Sequence, residues 1–132
     1  MNNLTLGKTA VVTAYVTESN TAKAVGSGSL DVFATPMMVA LMENAACSVL
    51  ADGLESGLTS VGTAISIAHT AASPIGAKVS AAATITAVNG RSVDFAVTAN
   101  DETGEIGVGT HTRVIVDEAK FVAKAANRYS EK

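Results

Sequence analysis

Hydrophobic and polar positions change rhythm along this chain in a way that predicts its elements. Residues 8–17 (KTAVVTAYVT) are rich in β-branched side chains and predict a first strand. The segment Gly26-Ser27-Gly28-Ser29 breaks that pattern. Thr35-Pro36 then reads as a helix start, with threonine capping free amides and proline at the first helical position, where its missing N–H costs nothing. From Pro36 to Leu54 the pattern is apolar almost all round. Only Asn44, Ser48 and Asp52, at i, i+4 and i+8, form a polar stripe. The helix is expected to run to about Asp52 and stop at Gly53.

Four strand-like segments follow. Residues 59–70 alternate, with Val61, Ile65 and Ile67 on one parity. Residues 77–88 (AKVSAAATITAV) and 91–99 (RSVDFAVTA) flank the hairpin signal Asn89-Gly90. Asp101-Glu102-Thr103-Gly104 turns into residues 105–116, and the tail from Asp117 suits a short helix. Short turns join antiparallel strands, so the four are expected to form a meander. One long apolar helix must then be covered by that sheet. The fold class is α+β: the hotdog fold, a curved antiparallel β-sheet wrapped around a long central α-helix. It is read as a single domain over residues 1–132, with a C-terminal tail at about 117–132.

Composition sharpens this picture. The 132 residues are 48% hydrophobic and 4% aromatic, with no Trp. A core of small aliphatic side chains buries little area per residue, so part of the apolar surface is expected to lie between subunits. The net charge of -3 argues against nucleic acid as the main partner. Charge is uneven, however: residues 111–132 carry five cations against three carboxylates. The single Cys47 is read as a small core residue in a reducing compartment, which suits a cytoplasmic protein. No signal peptide is visible, because the N-terminus lacks a basic start followed by an apolar run, and Glu43 and Asn44 interrupt the longest mostly apolar stretch, which argues against a membrane span. Two histidines forty-two residues apart make no metal motif.

Candidate chemistry centres on Glu43. Its helical neighbours Val39, Ala40, Ala46 and Cys47 are apolar or nearly so, and no Lys or Arg occurs between Lys23 and Lys78. The sequence therefore offers Glu43 no local cation. A carboxylate kept among apolar groups is costly unless it acts or pairs. The bland alternative is a helix-edge acid that reaches water. His69 shares its parity with Val61, Ile65 and Ile67 and should face the helix with them. Thr35 and Glu43 are eight residues apart, about 12 Å along one helix. If both serve one reacting centre, side chains from two subunits must meet there, which predicts a site at a dimer interface.

These residues, together with Val61-Gly62-Thr63, His69-Thr-Ala-Ala-Ser-Pro-Ile-Gly76 and Gly107-Val-Gly-Thr-His-Thr-Arg113, resemble the fluoroacetyl-CoA thioesterase branch of the hotdog superfamily. The resemblance runs from about residue 30 to residue 125. It implies a catalytic set of Thr35, Glu43 and His69, with Gly62 and Arg113 near the acyl-CoA substrate. It also implies a homodimer or larger assembly, and no cofactor, since coenzyme A belongs to the substrate. The branch's namesake specificity depends on a phenylalanine gate before the helix. Here that segment is GSGSLDVF, and Phe33 does not register with the gate.

The function expected is therefore hydrolysis of a small or medium acyl-CoA thioester. The competing reading is a non-catalytic acyl-CoA-binding or regulatory hotdog module, and an enoyl-thioester hydratase would need a local motif that is not found. Glu43 could attack the carbonyl directly or deprotonate water, and His69 could shuttle the proton. His111 reads equally well as a sheet histidine or a site residue. Arg113 could meet a coenzyme A phosphate or make a surface salt bridge. Lys120, Lys124 and Arg128, at i, i+4 and i+8, read first as a solvated helix face and second as a phosphate-binding stripe.

Overall fold

The computed structural model describes residues 4–130. Strand β1 (Thr9–Tyr15) leads through a single-turn helix α1 (Ala22–Val25) to the long helix α2 (Thr35–Ala51). Then come β2 (Leu58–His69), β3 (Lys78–Asn89), β4 (Ser92–Asp101), β5 (Gly104–Asp117) and a terminal helix α3 (Glu118–Ser130). The strands form one antiparallel sheet in the order β1-β3-β4-β5-β2, and α2 lies against one face of it, mainly over β3 and β1.

The strand alternation explains which face meets the helix. Val79, Ala81, Ala83 and Ile85 of β3 and Val93, Phe95, Val97 and Ala99 of β4 are all buried, and they join Met38, Met42, Ala45, Ala46, Val49 and Leu50 of α2 in one core. Alanines at the centre of β3 let the helix lie close to the sheet. Gly107 of β5 serves the same end, since a Cβ there would strike the Met38 sulfur.

The sheet order corrects the expected meander. Only β3, β4 and β5 follow one another in space, whereas β2 pairs with β5 at the far edge. Residues 70–77 must therefore cross three strand spacings, about 14 Å, and eight extended residues reach about 26 Å. The crossing segment is stitched down: the Phe33 amide donates to the Ser73 carbonyl, and Gly76 to Val16. Ser73 is buried, and its hydroxyl donates to Asp101 Oδ2 at 2.7 Å. The β3–β4 hairpin stands as expected, with Asn89 opposite Ser92 and a left-handed φ of 62° at Gly90.

A second correction concerns β2. Its pairing with β5 slips between Gly62 and Ala64, leaving Thr63 as a bulge. Before the bulge, Ser60 and Gly62 stand opposite the buried Ile115 and Arg113. After it, Ile65, Ile67 and His69 stand opposite His111, Gly109 and Gly107. Val61, opposite Val114, is thus on the other face from Ile65, because one extra residue inverts the alternation.

Candidate active site

Two clusters of polar side chains lie on the face of the sheet that carries α2. The first is at the start of the helix. Ala34 is the N-cap and makes no side-chain cap bond, so Thr35 is the first helical residue rather than the cap. Its hydroxyl is used elsewhere: Thr35 Oγ1 lies 2.7 Å from His69 Nδ1. His69 closes β2, and its Nε2 is buried with no group in hydrogen-bonding geometry among the described residues. Burial lowers the imidazole below its usual value of 6.5, with the Ala71 backbone acting in the opposite direction. A neutral ring that accepts the threonine proton at Nδ1 keeps an N–H at Nε2. The pair opens into a pocket of about 300 Å³ whose wall includes Phe33, Ala71 and Ala72.

The second cluster surrounds Glu43 in the middle of α2. Its carboxylate Oε2 lies 3.4 Å from Arg113 Nη1, with Glu43 40% and Arg113 7% exposed at their side chains. This corrects the expectation that Glu43 lacks a cation. The partner is seventy residues away in sequence and is brought in by β5. Glu43 also reaches water, as a helix-edge acid does.

Arg113 is locked in place. Nε donates to Ser60 Oγ at 2.8 Å and Nη2 to the Ser60 carbonyl at 3.1 Å, while Nη1 lies 3.2 Å from His111 Nε2. The His111 Nδ1 is 2.7 Å from the Ala64 carbonyl, which can only accept. His111 therefore carries its proton on Nδ1 and presents Nε2 as an acceptor to the guanidinium. Gly62 lies beneath the acid: a Cβ built there would sit 2.5 Å from Glu43 Oε2.

The five residues singled out in the sequence thus fall into two groups, Thr35 with His69 and Glu43 with Gly62 and Arg113. Within one chain the groups are held at opposite ends of two helical turns. Sequence reasoning missed Ser60, whose signal was hidden by the bulge, and left His111 undecided. Cys47 is exposed on α2, not in the core as expected, along with Pro36, Ala40, Asn44, Ser48 and Ala51. Among the described residues, no group of three His, Cys, Asp or Glu side chains could hold a metal ion. Nor is any described helix long and apolar enough to cross a membrane.

A single antiparallel sheet with one long helix on its face, entered beside a Thr–His pair, defines a hotdog-fold protein, and known proteins agree. Residues 16–119 match the family model described as fluoroacetyl-CoA-specific thioesterase. A fluoroacetyl-CoA thioesterase from Streptantibioticus cattleyicolor is 45% identical over 98 residues, covering 74% of this chain and 70% of that one. A solved point mutant of the fluoroacetyl-CoA-specific thioesterase superposes with a TM-score of 0.90 at 35% identity, covering 97% of this chain and 99% of that one. A thioesterase-superfamily protein from Thermus thermophilus superposes with a TM-score of 0.90 at 30% identity over 100% of both chains. The chain belongs to the fluoroacetyl-CoA-specific thioesterase family.

Proposed function

We propose that this protein is an acyl-CoA thioesterase that hydrolyses small or medium acyl groups as a cytoplasmic homodimer or larger assembly, without a cofactor beyond the coenzyme A of its substrate. Thr35, Glu43 and His69 are the catalytic groups. Gly62 and Arg113 shape the acyl end of the site.

The observation that carries this reading is the split between two half-sites. A general base and the group it serves must come within about 3 Å of the same reacting atoms. Thr35, to which His69 is bonded, and Glu43 of one chain sit about 12 Å apart along α2. A twofold-related copy would bring one chain's Glu43 toward the other chain's Thr35–His69 pair. Two surfaces support that pairing: the exposed α2 face of small and polar residues, and the open edge of β2. The pocket beside Thr35 and His69, at about 300 Å³, suits a small acyl group.

Two routes fit these groups. In one, a Glu43 oxygen attacks the thioester carbonyl, the C–S bond breaks, and coenzyme A departs as a thiolate held by the His69 Nε2–H. Water then attacks the resulting anhydride, one of its protons neutralising the thiolate, and the Glu43 carboxylate is restored. In the other, Glu43 removes a proton from the water that attacks, the C–S bond breaks, and the proton passes to the departing thiolate. Thr35 holds the His69 ring in place in both. The test is thiol release from a panel of acyl-CoAs by wild type and Glu43→Gln. Wild-type turnover that falls by about 10²-fold in the variant, with acyl-CoA binding kept, is the expected result. A wild type that binds acyl-CoA tightly and hydrolyses none would replace this reading with the binding module.

A further inference from the structure

Arg113 reaches Glu43, yet the two do not close into a full ion pair. Left to themselves, a guanidinium and a carboxylate form two parallel bonds of about 2.7–2.9 Å. Here a single bond joins them, Nη1 to Oε2, at 3.4 Å. The shorter bonds of the guanidinium go to neutral acceptors. Its Nε–Nη2 edge, one of the forks a carboxylate can take, is filled by Ser60, through Oγ at 2.8 Å and the carbonyl at 3.1 Å. Nη1 is drawn to His111 Nε2 at 3.2 Å. Both anchors are themselves fixed. Ser60 lies before the Thr63 bulge, opposite the buried Ile115. His111 is buried, bonded through Nδ1 to the Ala64 carbonyl and stacked on Phe95 with ring centroids 6.1 Å apart.

We propose that Ser60 and His111 are positioning residues that hold Arg113 off Glu43, so that the acid is anchored through one oxygen and keeps the other for the reaction. They act through the guanidinium. A two-point pair would engage both carboxylate oxygens and weaken Glu43 as nucleophile and as base alike, because it stabilises the ionised, unreacted form. Without any cation, a side chain that is 40% exposed on the helix edge would have no fixed place. The one-point contact lies between these extremes. The distances decide which group sets the other. Three bonds of 2.8, 3.1 and 3.2 Å to Ser60 and His111 outweigh one of 3.4 Å, so Arg113 stays where β2 and β5 put it and Glu43 comes to it. The inference rests on the acyl-CoA reading above and names what keeps its Glu43 reactive.

The test compares two replacements of His111. His111→Phe keeps a ring against Phe95 but removes the acceptor, and His111→Gln restores an acceptor of similar reach. Thiol release from an acyl-CoA and crystal structures are measured for wild type, both variants, and Arg113→Met with and without His111→Phe. His111→Phe should lower kcat by about tenfold or more while KM stays within about twofold, because the loss falls on reactivity and not on binding. His111→Gln should recover most of the rate. In the Arg113→Met background, His111→Phe should change kcat by less than about twofold, since no guanidinium is left to hold back. A merely structural role would cost the same in both backgrounds. The His111→Phe structure should show Arg113 closed on Glu43 through two N–H···O bonds of about 3 Å or less. Wild-type kcat in His111→Phe, an equal loss in both backgrounds, a His111→Gln as impaired as His111→Phe, or an unchanged one-point contact would each overturn the proposal. If His111→Phe does not fold, Ser60→Ala opens the other edge of the guanidinium and is held to the same loss of kcat, the same background comparison and the same closed contact. If wild type hydrolyses no thioester, the proposed activity fails, yet the Arg113–Glu43 geometry in the variants still decides the restraint.

Discussion

Gly62 and Glu43 are held so close that no side chain fits between them: a Cβ on the glycine would sit 2.5 Å from the carboxylate Oε2. The same Cβ would lie 3.1 Å from His111 Cε1 and 3.3 Å from Arg113 Nη1. All three neighbours are tied down, so the methyl group of alanine must displace the acid. Gly62→Ala should lower kcat/KM by about 10²-fold, the scale of a misplaced reacting group, while the protein still unfolds cooperatively. Steady-state kinetics beside a urea melt checks this. Wild-type kinetics in the variant would show that Glu43 need not lie where it does.

Arg113 carries a second expectation. Arg113→Met keeps some bulk but removes the charge and leaves His111 Nε2 and Ser60 Oγ without the donor they share. Stability should fall by about 1–3 kcal/mol, the cost of unsatisfied buried polar groups. In a double-mutant cycle with Glu43→Gln, the activity losses should be strongly non-additive, because the pair acts as a unit. Additive losses would separate the roles of the two residues.

The Thr35–His69 bond predicts a graded series. Thr35→Ser retains the hydroxyl and should retain most turnover. Thr35→Val keeps the shape but not the hydrogen bond, and should lose about tenfold or more, because the imidazole is freed to rotate. His69→Ala should cost about 10²-fold. Thiol-release rates compared with circular dichroism spectra distinguish this from misfolding.

The depressed imidazole also sets a pH dependence. Burial keeps the folded His69 neutral below its ordinary value of 6.5, so the unfolded chain takes up the proton first as pH falls. Stability contributed by the neutral ring is therefore present above about pH 6.5 and declines as pH drops from there toward the folded value. The limb of kcat/KM that reports this ring should fall below pH 6.5. His69→Gln should remove the corresponding slope from a pH series of urea midpoints, and an unchanged slope would assign it to another group.

Asp101 works with the opposite charge. Hydrogen bonds from the Ser73 hydroxyl, then the Thr103 hydroxyl and amide, hold its carboxyl below the usual value of 3.8. A depressed carboxylate adds stability above its unfolded value, and that stability is lost as pH falls through the folded one. Asp101→Asn should flatten the acid end of the pH–stability profile below about pH 4 and raise amide exchange in residues 70–76. Unchanged exchange would show that the Ser73 latch is dispensable.

Much of the fold was legible because its signals are local. Thr35-Pro36, the run to Leu54, Asn89-Gly90 and the β-branched segments each mark an element within a few residues. The strand order was not legible, since residues 70–77 read equally as a turn or a crossing. Thr35, Glu43 and His69 stood out by residue type and position, but their partners did not. The distance between Glu43 and Arg113 in sequence hides their contact, and the burial of His111 becomes plain only once β5 is paired. The capping role expected of Thr35 was displaced by a stronger bond to His69, a tertiary choice that no helix-start rule contains.

The bulge at Thr63 has a consequence for how this protein can change. Substitutions along β2 alter one contact each, whereas a change of length acts on the phase of the strand. Removing Thr63 would leave Gly62 and Ala64 adjacent and still opposite Arg113 and Thr112, so Ser60, Gly62, Ile65, Ile67 and His69 would all keep their faces. A second deletion has no bulge to absorb it and would turn either a guanidinium support or an imidazole outward. The strand can therefore lose one residue but not two: deep mutational libraries should tolerate replacement or deletion at position 63 and reject a further deletion beside it.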